Sequence, residues 1–389
     1  MPTEGLGPPP ARAVKSLLFI GPLPEPLTGQ SLACRLLLDE LTKHYRVDVI
    51  NLSKRNPTQP RTSLTRIVEI FQILVAVRRR QRAADAIYLT VSESYLGNIK
   101  DLLIYFTCFR SLRRMVIHLY GGAGLRRIML TRGHPLRRSN EFFMRRLGGA
   151  IVEGSRQRPT FANTILPERI HLVPNFAEDY LFCDAEAIDR KFRTAEPLRV
   201  LFLSNLLPGK GHKELIDAFR SLVNNGRVEL DIAGAFDSED AEREFHRQIA
   251  GTSQIRYHGP VRGVQKRDLF QGAHVFCLPT YYAYEGQPLS ILEAYAAGCA
   301  VITTDHSGIR DVFTAGRNGY EVIPRSVTSL RTALEEAVAD PQRLRTMALA
   351  NLTAARTNYR AAQYRDRMIL IIESIAARTD LEGGIEGDA

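Results

Sequence analysis

Short apolar runs alternate with amphipathic stretches along this chain, and the alternation predicts a series of strands and helices. Residues 16–20 predict a first parallel strand, residues 32–41 show helical periodicity, and residues 46–52 alternate as a second strand. A turn-rich loop, residues 21–31, joins the first strand to the helix. This order is typical of a doubly wound α/β domain, in which ligands bind at the carboxyl ends of the strands.

Two further segments are almost entirely apolar and end in arginines. Residues 63–77 leave one narrow polar stripe on a helix, and residues 78–82 add four arginines directly after it. Residues 99–112 repeat the pattern and are followed by Arg113 and Arg114. Such helices either lie at a membrane edge, with arginines on lipid phosphates, or are buried helices with a solvated basic end. The sequence leaves both interpretations open.

The second half of the chain predicts another α/β domain. Residues 184–197 are charged and irregular, which predicts an interdomain linker, and the apolar run 198–203 predicts the strand that follows it. Residues 328–350 are helical, and residues 360–378 form a last amphipathic helix. The predicted organisation is a flexible tail (1–14), an N-terminal domain (15–183), the linker (184–197), a C-terminal domain (198–356), a C-terminal helix (357–378) and a second flexible tail (379–389).

Composition adds limits to this picture. The 389 residues, 44% of them hydrophobic, suit two domains with proper cores. The five cysteines form no C-x-x-C pair, which argues against a zinc site or a disulfide framework and for a reducing compartment. We expect no spanning helix, because no run of 18 apolar residues exists. Residues 1–14 lack the apolar core of a signal peptide.

The net charge of +10 is uneven along the chain. Residues 1–180 hold 27 Lys and Arg against 14 Asp and Glu, whereas the remainder is near neutral. This asymmetry indicates a surface for a polyanion or an anionic membrane. The arginines of residues 122–148 are either a solvated basic face or a site for an acceptor phosphate or a lipid headgroup. We expect no nucleic-acid partner, because no stacking aromatics are interleaved with the basic residues.

The most informative stretch follows a predicted strand at residues 273–278. Gly286 and Pro288 break that strand, and an Ala-rich helix starts near Pro288 and stops at Gly298. The free N–H groups of Leu289 and Ser290 at its positive end offer a phosphate site.

Two carboxylates bracket this site. Seven residues separate Glu285, in the turn, from Glu293, in the helix. Carboxylates accept hydrogen bonds from sugar and ribose hydroxyls, so the arrangement suits a sugar phosphate. Each Glu alone could equally be a dipole partner or half of a capping box.

Together these residues resemble the donor-site signature E-x7-E of family 4 glycosyltransferases, which are retaining enzymes. The resemblance implies the GT-B fold, an α/β fold of two doubly wound Rossmann-like domains facing a central cleft, with the last helix crossing back to the first domain. Residues 204–211 resemble the family's G-R-L-x-x-x-K-G. Lys210 matches the lysine and implies a cation for the diphosphate, while Asn205 replaces the usual arginine. Residues 301–311 resemble T-x-x-G-G-x-x-E and support the fold only.

The motifs of the first domain match those of the family less closely than the motifs of the second domain do. Gly29, followed by Gln30, lies where the family's glycine loop faces the donor phosphates, although an ordinary β–α loop remains an alternative. His118 ends a predicted strand, where family members carry a histidine beside the reacting sugar. A structural histidine is the alternative there.

The resemblance implies transfer of a sugar from a UDP- or GDP-sugar with retention. Glu285 and the backbone near His118 would stabilise the transition state, and Glu293 would hold the ribose. The leaving phosphate takes the acceptor proton, so Glu285 is not assigned as a nucleophile. We expect no divalent metal, because no D-x-D motif ends a strand.

The positive charge of the first domain, together with the acceptors typical of the family, favours a lipid-linked saccharide of surface polysaccharide synthesis as the acceptor. We therefore expect a cytoplasmic protein, peripheral on the inner face of the plasma membrane. Two alternatives stay open. One is a GT-B nucleotide-sugar 2-epimerase, which would need no acceptor, and the other is a non-catalytic module that binds an anionic membrane or nucleic acid.

Overall fold

The computed structural model of the protein describes residues 16–25, 28–53, 64–121, 123–193, 196–222 and 227–385, with the side chains of all but residues 64 and 379–385. The predicted tail at residues 1–14 lies outside this part. No helix within these ranges is long and apolar enough to cross a membrane.

The first domain is built on a six-stranded parallel sheet in the order β2-β1-β3-β4-β5-β6. The direction in which successive strands join the sheet reverses between β1 and β3, which pair directly with each other. The sheet is therefore doubly wound, as predicted. The strands are β1 (Ser16–Gly21), β2 (Arg46–Asn51), β3 (Ala86–Thr90), β4 (Met115–Leu119), β5 (Gly149–Val152) and β6 (Ile170–Leu172). The helices are α1 (Gly29–His44), α2 (Leu64–Arg80), α3 (Tyr95–Thr107), α4 (Ala123–Leu130) and α5 (Arg137–Met144).

The second domain repeats the plan with a parallel sheet in the order β12-β11-β10-β7-β8-β9, which reverses between β7 and β10. Its strands are β7 (Leu198–Leu203), β8 (Val228–Ala233), β9 (Ile255–Tyr257), β10 (Val275–Leu278), β11 (Ala300–Thr303) and β12 (Gly319–Glu321). The helices that follow the first domain are α6 (Ala185–Arg193), α7 (His212–Arg220), α8 (Glu239–Ile249), α9 (Gly263–Gly272), α10 (Leu289–Ala296), α11 (Val327–Ala339), α12 (Pro341–Asn358) and α13 (Ala361–Ile385).

Alternation along β4 explains how the first sheet is covered on both faces. Val116 and Tyr120 point into a core shared with α1 and α13, whereas Ile117 and Leu119 point into a core shared with α2 and α3. Every residue of β3 and β4 is buried, which is why these strands read as continuous apolar runs.

The predicted irregular linker at residues 184–197 is wrong over most of its length, because α6 occupies it. Ile188 and Phe192, one turn apart, are buried in the core of the second domain. The ammonium group of Lys191 is buried as well and donates to three carbonyl oxygens, those of Ala273, Ala297 and Gly298, at 2.7, 3.2 and 2.7 Å. The charges that suggested a linker are the polar face of an amphipathic helix.

Helix α13 crosses back to the first domain, as the family resemblance implies. Tyr364, Met368 and Ile372 are buried in the core that α1 shares with β3 and β4. The helix continues to Ile385, so it includes residues 379–385 of the tail predicted for residues 379–389.

Candidate active site

The carboxyl ends of the two sheets face each other, and the loops at both reversal points meet. A Cβ atom placed on Gly29, at the start of α1, would lie 3.2 Å from Cδ1 of Leu289, at the start of α10. The predicted glycine loop and the predicted anion-binding helix are therefore in contact across the cleft. Gln30 follows Gly29 in the first turn of α1 and is partly exposed.

Lys210 and Glu285 form a buried ion pair at the reversal point of the second sheet. Nζ of Lys210 lies 3.0 and 2.7 Å from the two carboxylate oxygens of Glu285, and the Thr280 hydroxyl donates to one of them at 2.8 Å. Both residues are more than nine-tenths buried. Sequence reasoning predicted both residues but not their contact, because they come from the loops after β7 and β10.

Left-handed glycines let these two loops approach each other. Gly209 and Gly211 have φ values of 94° and 84°, a conformation that favours glycine. The carbonyl of Gly209 accepts a hydrogen bond from the backbone N–H of Tyr281 at 2.7 Å. Asn205, predicted to face the diphosphate, is exposed near the start of the same loop.

The start of α10 has the features of an anion site. Pro288 is its N-cap residue and no side chain caps this end. The first N–H groups of a helix lack intrahelical acceptors, so those of Leu289 and Ser290 carry the positive end of the helix dipole. The strand–turn–helix prediction is confirmed in this stretch.

Gly286 lies directly against the first domain. A Cβ atom at this position would be 1.7 Å from the carbonyl oxygen of Tyr120 and 2.2 Å from a carboxylate oxygen of Glu153. Only glycine fits this contact, for steric rather than conformational reasons. Gly286 was predicted to break the strand and to contribute to the donor site; its contact with the other domain was not predicted.

Gln287 of the second domain is hydrogen-bonded to Glu153 and Asn175 of the first. We call these three residues the clasp. The backbone N–H of Asn175 donates to Oε1 of Gln287 at 2.7 Å, and Nε2 of Gln287 donates to the carbonyl of Glu153 at 3.2 Å. The Glu153 carboxyl accepts from the Asn175 amide at 2.6 Å and from the Gln287 backbone N–H at 3.0 Å. Burial raises the pKa of Glu153 well above its ordinary value.

Further polar contacts join the domains beside the clasp. The backbone N–H of Ser155 lies 3.0 Å from both oxygens of the Asp311 carboxylate, and Arg156 pairs with Asp305 at 3.0 Å. Within the second domain, Ser307 has a φ of 50° and donates its hydroxyl to the carbonyl of Glu285 at 2.6 Å. Ser307 stands at the first glycine of the T-x-x-G-G-x-x-E motif that residues 301–311 resemble, and its left-handed backbone is a conformation that favours glycine.

Glu293 is held by a lysine that sequence reasoning missed. Nζ of Lys266, on α9, lies 2.6 Å from the Glu293 carboxylate and 3.0 Å from that of Glu178. Burial raises the pKa of Glu293, which is 3% exposed. The predicted role of Glu293 as a ribose ligand stays a prediction, and Lys266 fixes the orientation of its carboxylate.

His118 ends β4 as predicted, and its side chain is completely buried. Nδ1 lies 2.8 Å from the hydroxyl of Tyr88, and the imidazole stacks on Tyr120 with 3.9 Å between ring centroids. Burial lowers the pKa of His118 to about 3, so the ring is neutral. The end of β4 lies against the loop that carries Glu285, because the carbonyl of Tyr120 packs against Gly286 in that loop.

Metal-ligating side chains do not cluster in the part of the chain that the structure describes. No group of three or more His, Cys, Asp or Glu side chains there is arranged to hold a metal ion.

Two doubly wound domains that face each other across one cleft define a protein of the GT-B class. HepE of Anabaena, crystallised with UDP-glucose, superposes with a TM-score of 0.69 at 17% identity, over 92% of this chain and 99% of that chain. WaaG, a glycosyltransferase involved in lipopolysaccharide biosynthesis, gives a TM-score of 0.64 at 16% identity, over 91% and 98% of the two chains. Likeness at this identity shows the fold, and it confirms the predicted GT-B architecture.

Residues 184–351 match the family model of group 1 glycosyl transferases. The match covers less than half of the chain and includes most of the second domain, where it confirms the resemblance drawn from the donor-site motifs.

Curated relatives agree with this assignment. A phosphatidyl-myo-inositol mannosyltransferase of Mycolicibacterium smegmatis is 33% identical over 172 residues, 44% of this chain and 43% of that protein. A GDP-mannose-dependent alpha-(1-6)-phosphatidylinositol monomannoside mannosyltransferase of the same species is 28% identical over 284 residues, 66% and 72% of the two chains. An uncharacterized glycosyltransferase of Methanocaldococcus jannaschii is 27% identical over 143 residues, 36% of each chain. The matches to the first and third of these relatives span less than half of their length.

Proposed function

We propose that this protein is a retaining glycosyltransferase that moves a sugar from a nucleotide diphosphate sugar to a lipid-linked acceptor. The observation that carries the proposal is the buried Lys210–Glu285 ion pair beside the uncapped start of α10. Cation, carboxylate and helix dipole meet at the reversal point of the sheet, where doubly wound domains bind ligands.

Each group has a role in this proposal. The diphosphate binds at the start of α10 and draws Lys210 away from Glu285, because a dianion is the stronger partner for an ammonium group. The freed Glu285 carboxylate accepts hydrogen bonds from sugar hydroxyls, and the fixed charges stabilise the leaving diphosphate. Glu293 holds the ribose. No carboxylate attacks the sugar, and the leaving phosphate takes the acceptor proton.

The acceptor assignment rests on the relatives and on one face of the first domain. Two relatives are named for transfer to phosphatidylinositol or its mannoside. Neighbouring helices α2, α3 and α5 and the 3₁₀ turn after α3 carry exposed apolar side chains, which we call the apolar face: Ile67, Val68, Phe71, Leu103, Phe106, Phe109 and Phe142.

Arginines surround the apolar face. Three exposed arginines, Arg78, Arg79 and Arg80, form the last turn of α2. Arg146 stacks over Phe142 with its guanidinium 4.0 Å from the ring centroid. Apolar side chains ringed by cations suit a bilayer with anionic headgroups. The exposure of α2 favours the membrane-edge interpretation over that of a buried helix, and it supports a peripheral protein on an anionic membrane.

The experiment is nucleotide release from UDP-, GDP- and ADP-sugars, with and without a polyprenyl-linked lipid extract. We expect one donor to be turned over in a lipid-dependent way, with the anomeric configuration retained in the product. The same assay in excess EDTA tests the proposal that no divalent metal is needed, and we expect an unchanged rate. Release without any acceptor, together with an epimerised sugar, would favour the epimerase alternative.

A matched pair of variants ties the activity to the site. Glu285→Gln keeps the size of the side chain but removes its charge, and we expect a rate loss on the order of 100-fold or more. Glu214→Gln is the control, because Glu214 contacts the neighbouring Tyr281 at 2.6 Å but not the ion pair. Equal rates in wild type and Glu285→Gln would refute the donor-site assignment.

A further inference from the structure

A chain of buried hydroxyl groups leads from His118 to the C-terminal helix. The Tyr88 hydroxyl lies 2.8 Å from Nδ1 of His118 and 3.2 Å from the Tyr120 hydroxyl. The Tyr120 hydroxyl lies 3.0 Å from that of Tyr364, on α13. The three tyrosines and His118 are at most 8% exposed, so water does not compete for these hydrogen bonds.

The direction of the first hydrogen bond follows from its partners. A phenol hydroxyl is a better donor than acceptor, and an unprotonated imidazole nitrogen is a good acceptor. The ring is neutral because burial lowers the pKa of His118 to about 3. When Tyr88 donates to Nδ1, the single ring proton must be on Nε2.

Nε2 of His118 has no hydrogen-bond partner among the residues that the structure describes. Buried polar groups in native proteins nearly always have a partner, and exceptions often mark a group reserved for a ligand. Alternation along β4 puts the His118 side chain on the sheet face that α1 covers, and α1 begins at Gly29, which contacts Leu289 across the cleft. The orphaned N–H therefore lies on the sheet face covered by α1, the helix whose first residue contacts the start of α10.

We infer that Tyr88 is a positioning residue that holds His118 as the Nε2–H tautomer, with Tyr120 and Tyr364 anchoring Tyr88 to α13. His118, which the family resemblance places beside the reacting sugar, then has its Nε2–H free to donate to an oxygen atom of the donor sugar when the cleft binds it. This inference rests on the proposed glycosyl transfer for the ligand, but not for the tautomer.

The tautomer is measured by nitrogen-15 NMR of histidine-labelled protein, with His118 assigned from the signal that a His118→Asn variant loses. We expect a protonated Nε2 and an unprotonated Nδ1 in wild type at pH 7.5. In Tyr88→Phe, which removes only the hydroxyl, we expect a shifted or averaged pattern. A wild-type Nδ1–H tautomer, or an unchanged spectrum in Tyr88→Phe, would overturn the inference.

Turnover of the nucleotide sugar supplies a second readout. We expect Tyr88→Phe to lower kcat on the order of tenfold, with KM for the nucleotide sugar little changed, and Tyr364→Phe to have a smaller effect in the same direction. Two buried tyrosines are matched controls. The Tyr105 hydroxyl has no partner in the described residues, and that of Tyr295 donates to the carbonyl of Val312 at 3.0 Å.

The outcomes separate the two proposals. A kcat loss in Tyr105→Phe or Tyr295→Phe as large as that in Tyr88→Phe would reduce the role of Tyr88 to packing and contradict the inference. Wild type without turnover of any nucleotide sugar would contradict the proposed function, whereas the NMR result would still decide the tautomer. Thermal unfolding of each variant shows whether the fold is retained. If Tyr88→Phe does not fold, Tyr364→Phe tests the chain of hydroxyl groups instead.

Discussion

Gly286 limits how closely the two domains can approach. Its α-carbon faces the carbonyl of Tyr120, and the space that a methyl group would need is already occupied. A side chain here must push the loop that carries Glu285 away from the strand end that carries His118.

We expect Gly286→Ala to lower kcat/KM at least tenfold while each domain stays folded, because a misplacement of about 1 Å at a reacting centre is costly. The measurement is donor turnover alongside thermal unfolding. Gly272→Ala is the control, since a Cβ atom there meets nothing within 4 Å. Full activity in Gly286→Ala would mean that the contact with Tyr120 is not part of the catalytic state.

Single residues also show what the sequence could and could not predict about the site. Lys210, Glu285 and the start of α10 were identified because each lies in a motif with its own local signal. Glu153 and Lys266 carry no such signal, since each acquires its role only when a distant segment folds against it. Buried charged groups of this kind depend on tertiary contacts that no local pattern contains.

At the scale of elements, long apolar strands and periodic helices were predicted close to their observed bounds. The misses have physical causes. Strands β6 and β12 have only three residues each, and a strand this short shows little periodicity. The nine residues of helix α6 are mostly charged and so predict a linker, although Ile188 and Phe192 form an apolar stripe.

The clasp connects an element of each domain, and its strength can be measured. Gln287→Met keeps the volume but leaves the N–H of Asn175 and the carbonyl of Glu153 without partners, at a cost of roughly 1–3 kcal/mol each. We expect faster hydrogen exchange at residues 153–157 and a lower Tm. Gln271→Met is the control, because the Gln271 side chain makes one long hydrogen bond of 3.4 Å, to Leu181. Unchanged exchange in Gln287→Met would show that other contacts hold the domains together.

For the whole molecule, the apolar face makes a membrane prediction. We expect the double variant Phe71→Ser, Phe106→Ser to bind vesicles containing phosphatidylglycerol at least tenfold more weakly than wild type, because each phenyl ring contributes about 1.5–3 kcal/mol when fully buried. Vesicle co-sedimentation at low and high salt measures this. Val264→Ser, Ile323→Ser removes equally exposed side chains, 62% and 67%, from the second domain and should bind like wild type. Equal losses in both double variants would exclude a specific docking face.

The stability of the molecule depends on buried neutral histidines. Nδ1 of His274 accepts from the backbone of Arg199, Nε2 donates to the carbonyl of Lys191, and burial lowers its pKa to about 4. Between about pH 4 and 6.5 the unfolded chain binds the proton that the folded chain excludes, so stability falls as the pH falls through this window.

We therefore expect the loss of unfolding free energy between pH 7.5 and pH 5 to be about 2 kcal/mol smaller in His274→Gln than in wild type. Urea unfolding at both pH values measures the difference, and His246→Gln, on the surface of α8, is the control. Parallel pH dependence in wild type and His274→Gln would show that His274 is protonated within the fold.

The return of α13 has a consequence for synthesis on the ribosome. One core of the first domain needs Tyr364, Met368 and Ile372, which are made only after the whole second domain. Translation proceeds at about 5–20 residues per second, so the sheet face that α13 covers stays uncovered for on the order of ten seconds or more after it is synthesised. Released chains truncated after Asn358 should therefore expose Val116 and Tyr120 to proteolysis in the first domain while the second domain is already protected. The domain that is translated first is the last to be completed.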